Sequence, residues 1–157
     1  MIVWLEKALM LAIHERQISE HGGSAGVRDE GLLESALARP RQLHAYGDPA
    51  PDLADLAAAL AHGLARNHPF VDGNKRTAHV AYRTLLALNG AELIATDEEK
   101  YLTMLALAEG KLTERDFAAW VRARVRVRAR GRGEAHEPRP AYRATTRAAR
   151  SRRASPR

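Results

Sequence analysis

The sequence contains no cysteine. That removes disulfide frameworks, thiolate metal sites and thiol nucleophiles from the functions open to it, and it is compatible with a cytoplasmic setting. No run of about 18 apolar residues occurs, so no membrane span is expected. The longest greasy stretch, residues 53–64, is interrupted by Asp55 and His62 and reads as a packed helix of a soluble domain. Near the start, Glu6 and Lys7 fall inside the apolar run, unlike a secretory leader. There is no G-x-x-x-x-G-K-[ST] loop and no repeat with a period of about 20–50 residues; strand-like alternation is scarce outside residues 121–130, where Arg alternates with Val or Ala.

What is present is unevenly distributed. The formal net charge of +6 hides an acidic body and a basic tail: residues 122–157 hold 13 Arg against 2 Glu, leaving residues 1–121 with a net charge of −5. Inferences from the high isoelectric point therefore belong to the tail alone. Residues 1–121 are read as one domain and 122–157 as an Arg-rich, disordered extension.

Helical periodicity fills the body. Leu5, Ala8, Leu9, Ala12 and Ile13 predict a first helix over residues 3–19, ended by Gly22 and Gly23. Asp29 is placed to cap a second helix through Leu32, Leu33, Ala36 and Leu37, expected to stop before Pro40. Residues 41–51 read as loop. Asp52 can cap a third, Ala-rich helix, and a fourth follows from about Lys75 to Leu88, ended by Asn89-Gly90. Thr96 to Glu99 has the capping-box form S/T-x-x-E for a fifth helix, and Thr113 caps a sixth anchored by Phe117, Trp120 and Val121. Val27 and residues 91–94 could form short extended pieces. The expected fold is all-α, about six helices with a short flap loop or hairpin.

Between the third and fourth helices lies His68-Pro-Phe-Val-Asp-Gly-Asn-Lys-Arg-Thr77. Gly73, Asn74 and Lys75 stand where a helix begins, with N–H groups that lack intrahelical partners and a helix dipole that is positive there. Gly73 lets the backbone approach an anion closely. Lys75 and Arg76 add full charges, and the Arg76 fork suits two phosphate oxygens. Asp72 beside them can hold Mg²⁺ bridging phosphates, and a neutral imidazole at His68 can take a proton from an attacking hydroxyl. Each residue alone is ordinary surface chemistry; their meeting at one helix start argues for a nucleotide-phosphate site.

This string resembles the Fic-family motif H-x-F-x-[D/E]-G-N-x-R. The wider context, a Gly-rich stretch at residues 21–27 followed by Arg28-Asp29-Glu30-Gly31-Leu32-Leu33, is similar to the death-on-curing (Doc) toxins of toxin–antitoxin modules. AMP-transferring Fic enzymes typically continue G-N-G-R-x-x-R. Here Lys75 stands where the second Gly belongs and His79 where the second Arg belongs. The resemblance implies a kinase-like reaction in which the γ-phosphate of ATP passes to a threonine hydroxyl of elongation factor Tu. It assigns His68 as general base, Asp72 as metal ligand, and Gly73, Asn74, Lys75 and Arg76 as phosphate-binding, with ATP and Mg²⁺ as cosubstrate and cofactor. It also implies a Phd-like antitoxin as partner, and a flap near residues 21–26 that aligns the target.

AMP transfer is the first alternative. The second is an inert nucleic-acid-binding module that works through its Arg-rich tail. The tail has only Tyr142 as an aromatic, hence no stacking platform, and a solvated extension is the plainer reading. His14, His44, His62 and His79 lack familiar zinc-ligand spacing and are read as packing or surface residues. Glu109-Gly110 comes closest to the family's internal inhibitory S/T-x-x-x-E-[G/N], but Leu105 occupies the S/T position.

Overall fold

The computed structural model describes residues 1–128. Their elements, in chain order, are α1 (Lys7–His21), α2 (Glu30–Tyr46), α3 (Leu53–Asn67), α4 (Asn74–Leu88), β1 (Ala91–Leu93), α5 (Asp97–Ala108), α6 (Glu114–Arg124) and β2 (Val125–Val127). The six-helix, all-α architecture expected from periodicity is the one observed. Its only sheet among the described residues is the antiparallel pair β1–β2, with Ala91 opposite Val127 and Leu93 opposite Val125.

The Ala-rich sequence of α3 makes it the hub. Asp52 caps it, and Asp55 returns the bond to the Asp52 N–H, a reciprocal capping box. Six of its alanines are buried, together with Leu56, Leu60 and Leu64. Small side chains let α2, α4 and α6 approach closely. At Gly63 an added Cβ would lie 3.3 Å from both Cα and Cβ of Ala36 on α2. Phe117, Val121, Tyr82, Leu85 and Leu86 complete the core from α6 and α4.

Three local expectations are corrected by long-range contacts. The second helix does not stop before Pro40 but runs on to Tyr46, with Pro40 buried inside it. The missing Pro N–H costs one helical bond, to the Ala36 carbonyl, and burial of this face against α3 outweighs that loss. The first helix begins at Lys7 rather than near residue 3, because Val3 is tied elsewhere: its N–H donates to Asn89 Oδ1 at 2.8 Å and its carbonyl accepts from Asn89 Nδ2 at 2.9 Å. Its buried face is Met10, Ile13, His14 and Gln17, while Leu9 is exposed. In addition, α6 continues through Arg124 into β2, so packed structure extends beyond residue 121. Residues 129–157, which hold most of the Arg-rich extension and any nucleic-acid contact proposed for it, lie outside the described residues. Among those described, no helix is long and apolar enough to cross a membrane.

Arg122 fastens α6 to the start of α3. Its guanidinium donates to both Asp52 oxygens, at 2.6 and 3.1 Å, and to Asp55 Oδ1 at 2.8 Å. The Arg122 hydrogen bonds hold the Asp52 carboxyl down at about 2 from an ordinary 3.8. A depressed carboxylate stabilises the fold above its unfolded-state value and loses that contribution as pH falls toward its folded value. Arg122→Ala is therefore expected to lower the urea midpoint at neutral pH, with the deficit shrinking between pH 3.8 and about 2. A deficit that stays constant over that window would show that the ion pair is not its source.

Candidate active site

The connection between α3 and α4 is short, and its own backbone cannot pair with itself. Most of its polar groups are instead taken by neighbours. His68 closes α3 in the left-handed region, φ 48° and ψ 57°, the one non-glycine residue with positive φ among those described. The Arg28 guanidinium donates to the carbonyls of Asn67 at 2.9 Å and His68 at 2.7 Å. The Pro69 carbonyl accepts from the N–H groups of Arg28 and Asp29 at 2.8 and 3.1 Å, and Val71 N–H donates to Gly26 at 3.1 Å. Residues 26–29 thus run antiparallel to the loop, with Val27 bridging Phe70.

Beneath the loop, Phe70 is buried and its ring stacks on His14, centroids 3.9 Å apart and planes 6° from parallel. His14 Nε2 lies 2.8 Å from the Asp72 carbonyl. A carbonyl only accepts, so Nε2 carries the proton. The Asn74 side chain pairs with Phe70 twice, accepting from its N–H at 2.9 Å and donating to its carbonyl at 3.0 Å. Gly73, φ 73°, precedes α4 in the left-handed region that favours glycine, and a Cβ there would press on Ile18 Cδ1 at 3.1 Å.

On the open side, His68, Val71, Asp72, Gly73, Asn74, Lys75 and Arg76 line a cavity of about 310 Å³. The start of α4 presents unpaired N–H groups here, and Arg76 is steered by a bond from Nη2 to the Gly22 carbonyl at 2.9 Å. Asp72 accepts from Gly73 N–H at 2.8 Å and from Ser24 N–H at 3.2 Å. These two bonds, with Arg76 nearby, hold its carboxyl below the usual range, so it is ionised at neutral pH. Each Asp72 oxygen carries a single N–H and keeps a lone pair free. A single ionised carboxylate with free lone pairs fits Mg²⁺ shared with phosphate oxygens and water; among the described residues no group of three or more acids or histidines converges on a metal position.

A second cavity, of about 400 Å³, adjoins the first across Lys75 and Arg76. Its walls are Gln17 and His21 of α1, His79 and Val80 of α4, and Tyr101, Met104 and Leu105 of α5. Burial lowers the His79 pKa to about 4, reinforced by Arg83 and Lys100, so its ring is neutral at pH 7.

The residues picked out in sequence do meet: His68, Asp72, Gly73, Asn74, Lys75 and Arg76 border one cavity. The Asn74 side chain is taken up by the loop, which leaves its backbone N–H for the nest. His79 lines the second, apolar cavity. The sequence reading gave no individual role to Arg28, Ser24 or His14. Arg28 was visible only as part of a string that resembled a family, and His14 only as a polar residue on an apolar helix face.

A sequence profile of the Fic/DOC family matches residues 4–86. The chain is 33% identical over 113 residues to the "Protein kinase doc" of Escherichia phage P1, covering 72% of this chain and 88% of that one. It is 57% identical over 75 residues to "Toxin Doc" of Mycolicibacterium smegmatis, covering 47% of this chain and 57% of that one. The chain belongs to the Fic/DOC family. The match spans little more than half the length of the mycobacterial relative.

Asn74 offers a direct test of this geometry. If its side chain holds the loop, Asn74→Ala leaves the Phe70 N–H and carbonyl unpaired and lowers stability by about 1–3 kcal/mol with no nucleotide present. A urea titration measures this; a variant as stable as the parent without nucleotide would return Asn74 to a purely ligand-facing role.

Proposed function

We propose that this chain is a Doc-type toxin. In this reading it transfers the γ-phosphate of ATP to a threonine hydroxyl of a translation factor, elongation factor Tu, and so arrests translation. The observation that carries the reading is the character of the cavity next to the phosphate nest. AMP transfer would want a cationic clamp there for the departing pyrophosphate. Here the two cations of the cavity, Lys75 and Arg76, stand at its junction with the nest, and the wall beyond them offers a neutral His79 among Val80, Met104, Leu105 and Tyr101. That surface suits a nucleobase. With the base there, the triphosphate runs past Lys75 and Arg76 and brings its terminal phosphate toward His68.

The chemistry asked of the side chains is then simple. The threonine oxygen attacks the γ-phosphorus, the bond from that phosphorus to the β,γ-bridging oxygen breaks, and ADP leaves. His68 accepts the hydroxyl proton. The α4 N–H groups, Lys75 and Arg76 stabilise the charge spread over the phosphoryl oxygens, and such positioning and electrostatics supply most of the catalysis in phosphoryl transfer. Asp72 would hold Mg²⁺, which neutralises phosphate charge when bound. The flap near residues 21–26, tied to the site through Gly22, Ser24 and Gly26, would align the target segment.

A Phd-like antitoxin is the partner this reading requires. The names of the two relatives, "Toxin Doc" and "Protein kinase doc", support the toxin and kinase assignments. Glu109, the nearest match to an internal inhibitory glutamate, ends α5 and pairs with Lys111 at 2.9 Å. Inhibition is therefore assigned to a separate chain. A cytoplasmic site of action follows from the target.

Two experiments test the proposal. With elongation factor Tu and either γ-labelled or α-labelled ATP, label is expected on the target from the γ-labelled nucleotide only. Label from α-labelled ATP alone would restore AMP transfer. Expression without an antitoxin is expected to stop growth, and His68→Ala to relieve the arrest while leaving the unfolding midpoint unchanged. A folded His68→Ala chain that is still toxic would refute the assigned base.

A further inference from the structure

His68 poses a conflict between backbone and chemistry. A helix that ends in the left-handed conformation normally places glycine there, because a Cβ is strained by on the order of 1 kcal/mol or more. Glycine has no imidazole, so the strain must be offset from outside the residue. The final carbonyls of α3 also lack helical donors. Arg28 meets both needs. Its guanidinium takes the Asn67 and His68 carbonyls, and its own N–H takes Pro69, so one residue satisfies three consecutive carbonyls around the strained position.

We propose that Arg28 is the positioning residue of the site: it locks the His68 backbone in the left-handed state that carries the imidazole to the cavity, without itself touching substrate. Its partners are main-chain oxygens, and it is absent from the lining of both cavities. The two-pronged geometry matters. Nε and Nη2 address adjacent carbonyls at 2.7 and 2.9 Å, an arrangement that a lysine ammonium, a single point of charge, does not reproduce. The inference rests on the assignment of His68 as the base.

The test compares Arg28→Ala and Arg28→Lys in the full chain, with three readouts. In the transfer assay both variants are expected to lose about 10–100-fold in kcat, the scale of a misplaced catalytic group. Nucleotide KM should stay within about twofold, since the nest from Gly73 to Arg76 is untouched. In NMR spectra of the folded variants, the His68 ring resonances are expected to shift and broaden while those of His62, on the preceding turns of α3, stay in place. Lysine should recover little of the lost rate. Unchanged kcat, full recovery by lysine, or KM rising in step with the loss of rate would each overturn the proposal, the last by making Arg28 a substrate contact. If the unsubstituted chain transfers nothing, the functional reading fails by itself. The His68 resonances still decide whether Arg28 holds that residue, and unmoved signals in a folded Arg28→Ala chain would show that it does not.

Discussion

The fold is governed by one constraint: two helices packed against each other, α3 and α4, must be joined by a handful of residues whose backbone groups cannot bond to one another. A polar group buried without a partner costs more than an ordinary hydrogen bond gains, so the connection had to recruit outside help. It does so from three directions. Arg28 and Asp29 approach from the start of α2, Asn74 reaches back from α4, and His14 rises from α1 beneath Phe70. The result is a loop tied by hydrogen bonds to the elements around it. The base, carboxylate and nest proposed above would need such ties to stay in fixed relation.

The same recruitment sets the electrostatics. Asp72 is ionised because two backbone N–H groups and a nearby guanidinium favour its charge. Arg76 is aimed by the Gly22 carbonyl, which orients the fork without cancelling its charge. Gly23 shows how closely the flap is fitted to this end of the site: a Cβ there would fall 2.6 Å from Asp72 Oδ2. Backbone donors and acceptors thus do the positioning, and the side-chain charges remain available to a ligand.

What could be read from sequence and what could not follow the same division. Caps and contiguous motifs are local, and they were legible: Asp29, Asp52, Thr96 and Thr113 all cap the helices predicted for them. The string from His68 to Arg76 folds as one unit around one cavity. Features decided by partners distant in sequence were not legible. Pro40 looks like a helix stop until the face around it is buried on α3. Val3 looks helical until Asn89, 86 residues away, takes both its main-chain groups. Arg28 resembles any surface arginine before a helix, and nothing local shows that it reaches across to carbonyls 39 and 40 residues on. The second task of Asn74 is equally hidden: its side-chain amide pairs with both main-chain groups of Phe70, which its place at a helix start does not announce.

The positions that set this chain apart from the AMP-transferring pattern also gain a shared physical meaning. Lys75 borders both cavities and His79 lines the apolar one. They are one turn apart on α4, so together they shape the second cavity, the channel that adjoins the nest, and leave the loop from His68 to Asn74 as it is. A half-buried, uncharged imidazole at residue 79, where that pattern has an arginine, gives a phosphate less reason to enter that channel. Inserting a lysine at its mouth puts a cation where the channel opens onto the nest. On the reading proposed above, a nucleotide would seat its base in the channel and extend its phosphates outward. The choice between transferring a phosphoryl group and transferring a nucleotide would then turn on which end of ATP the channel accepts, with the loop common to both.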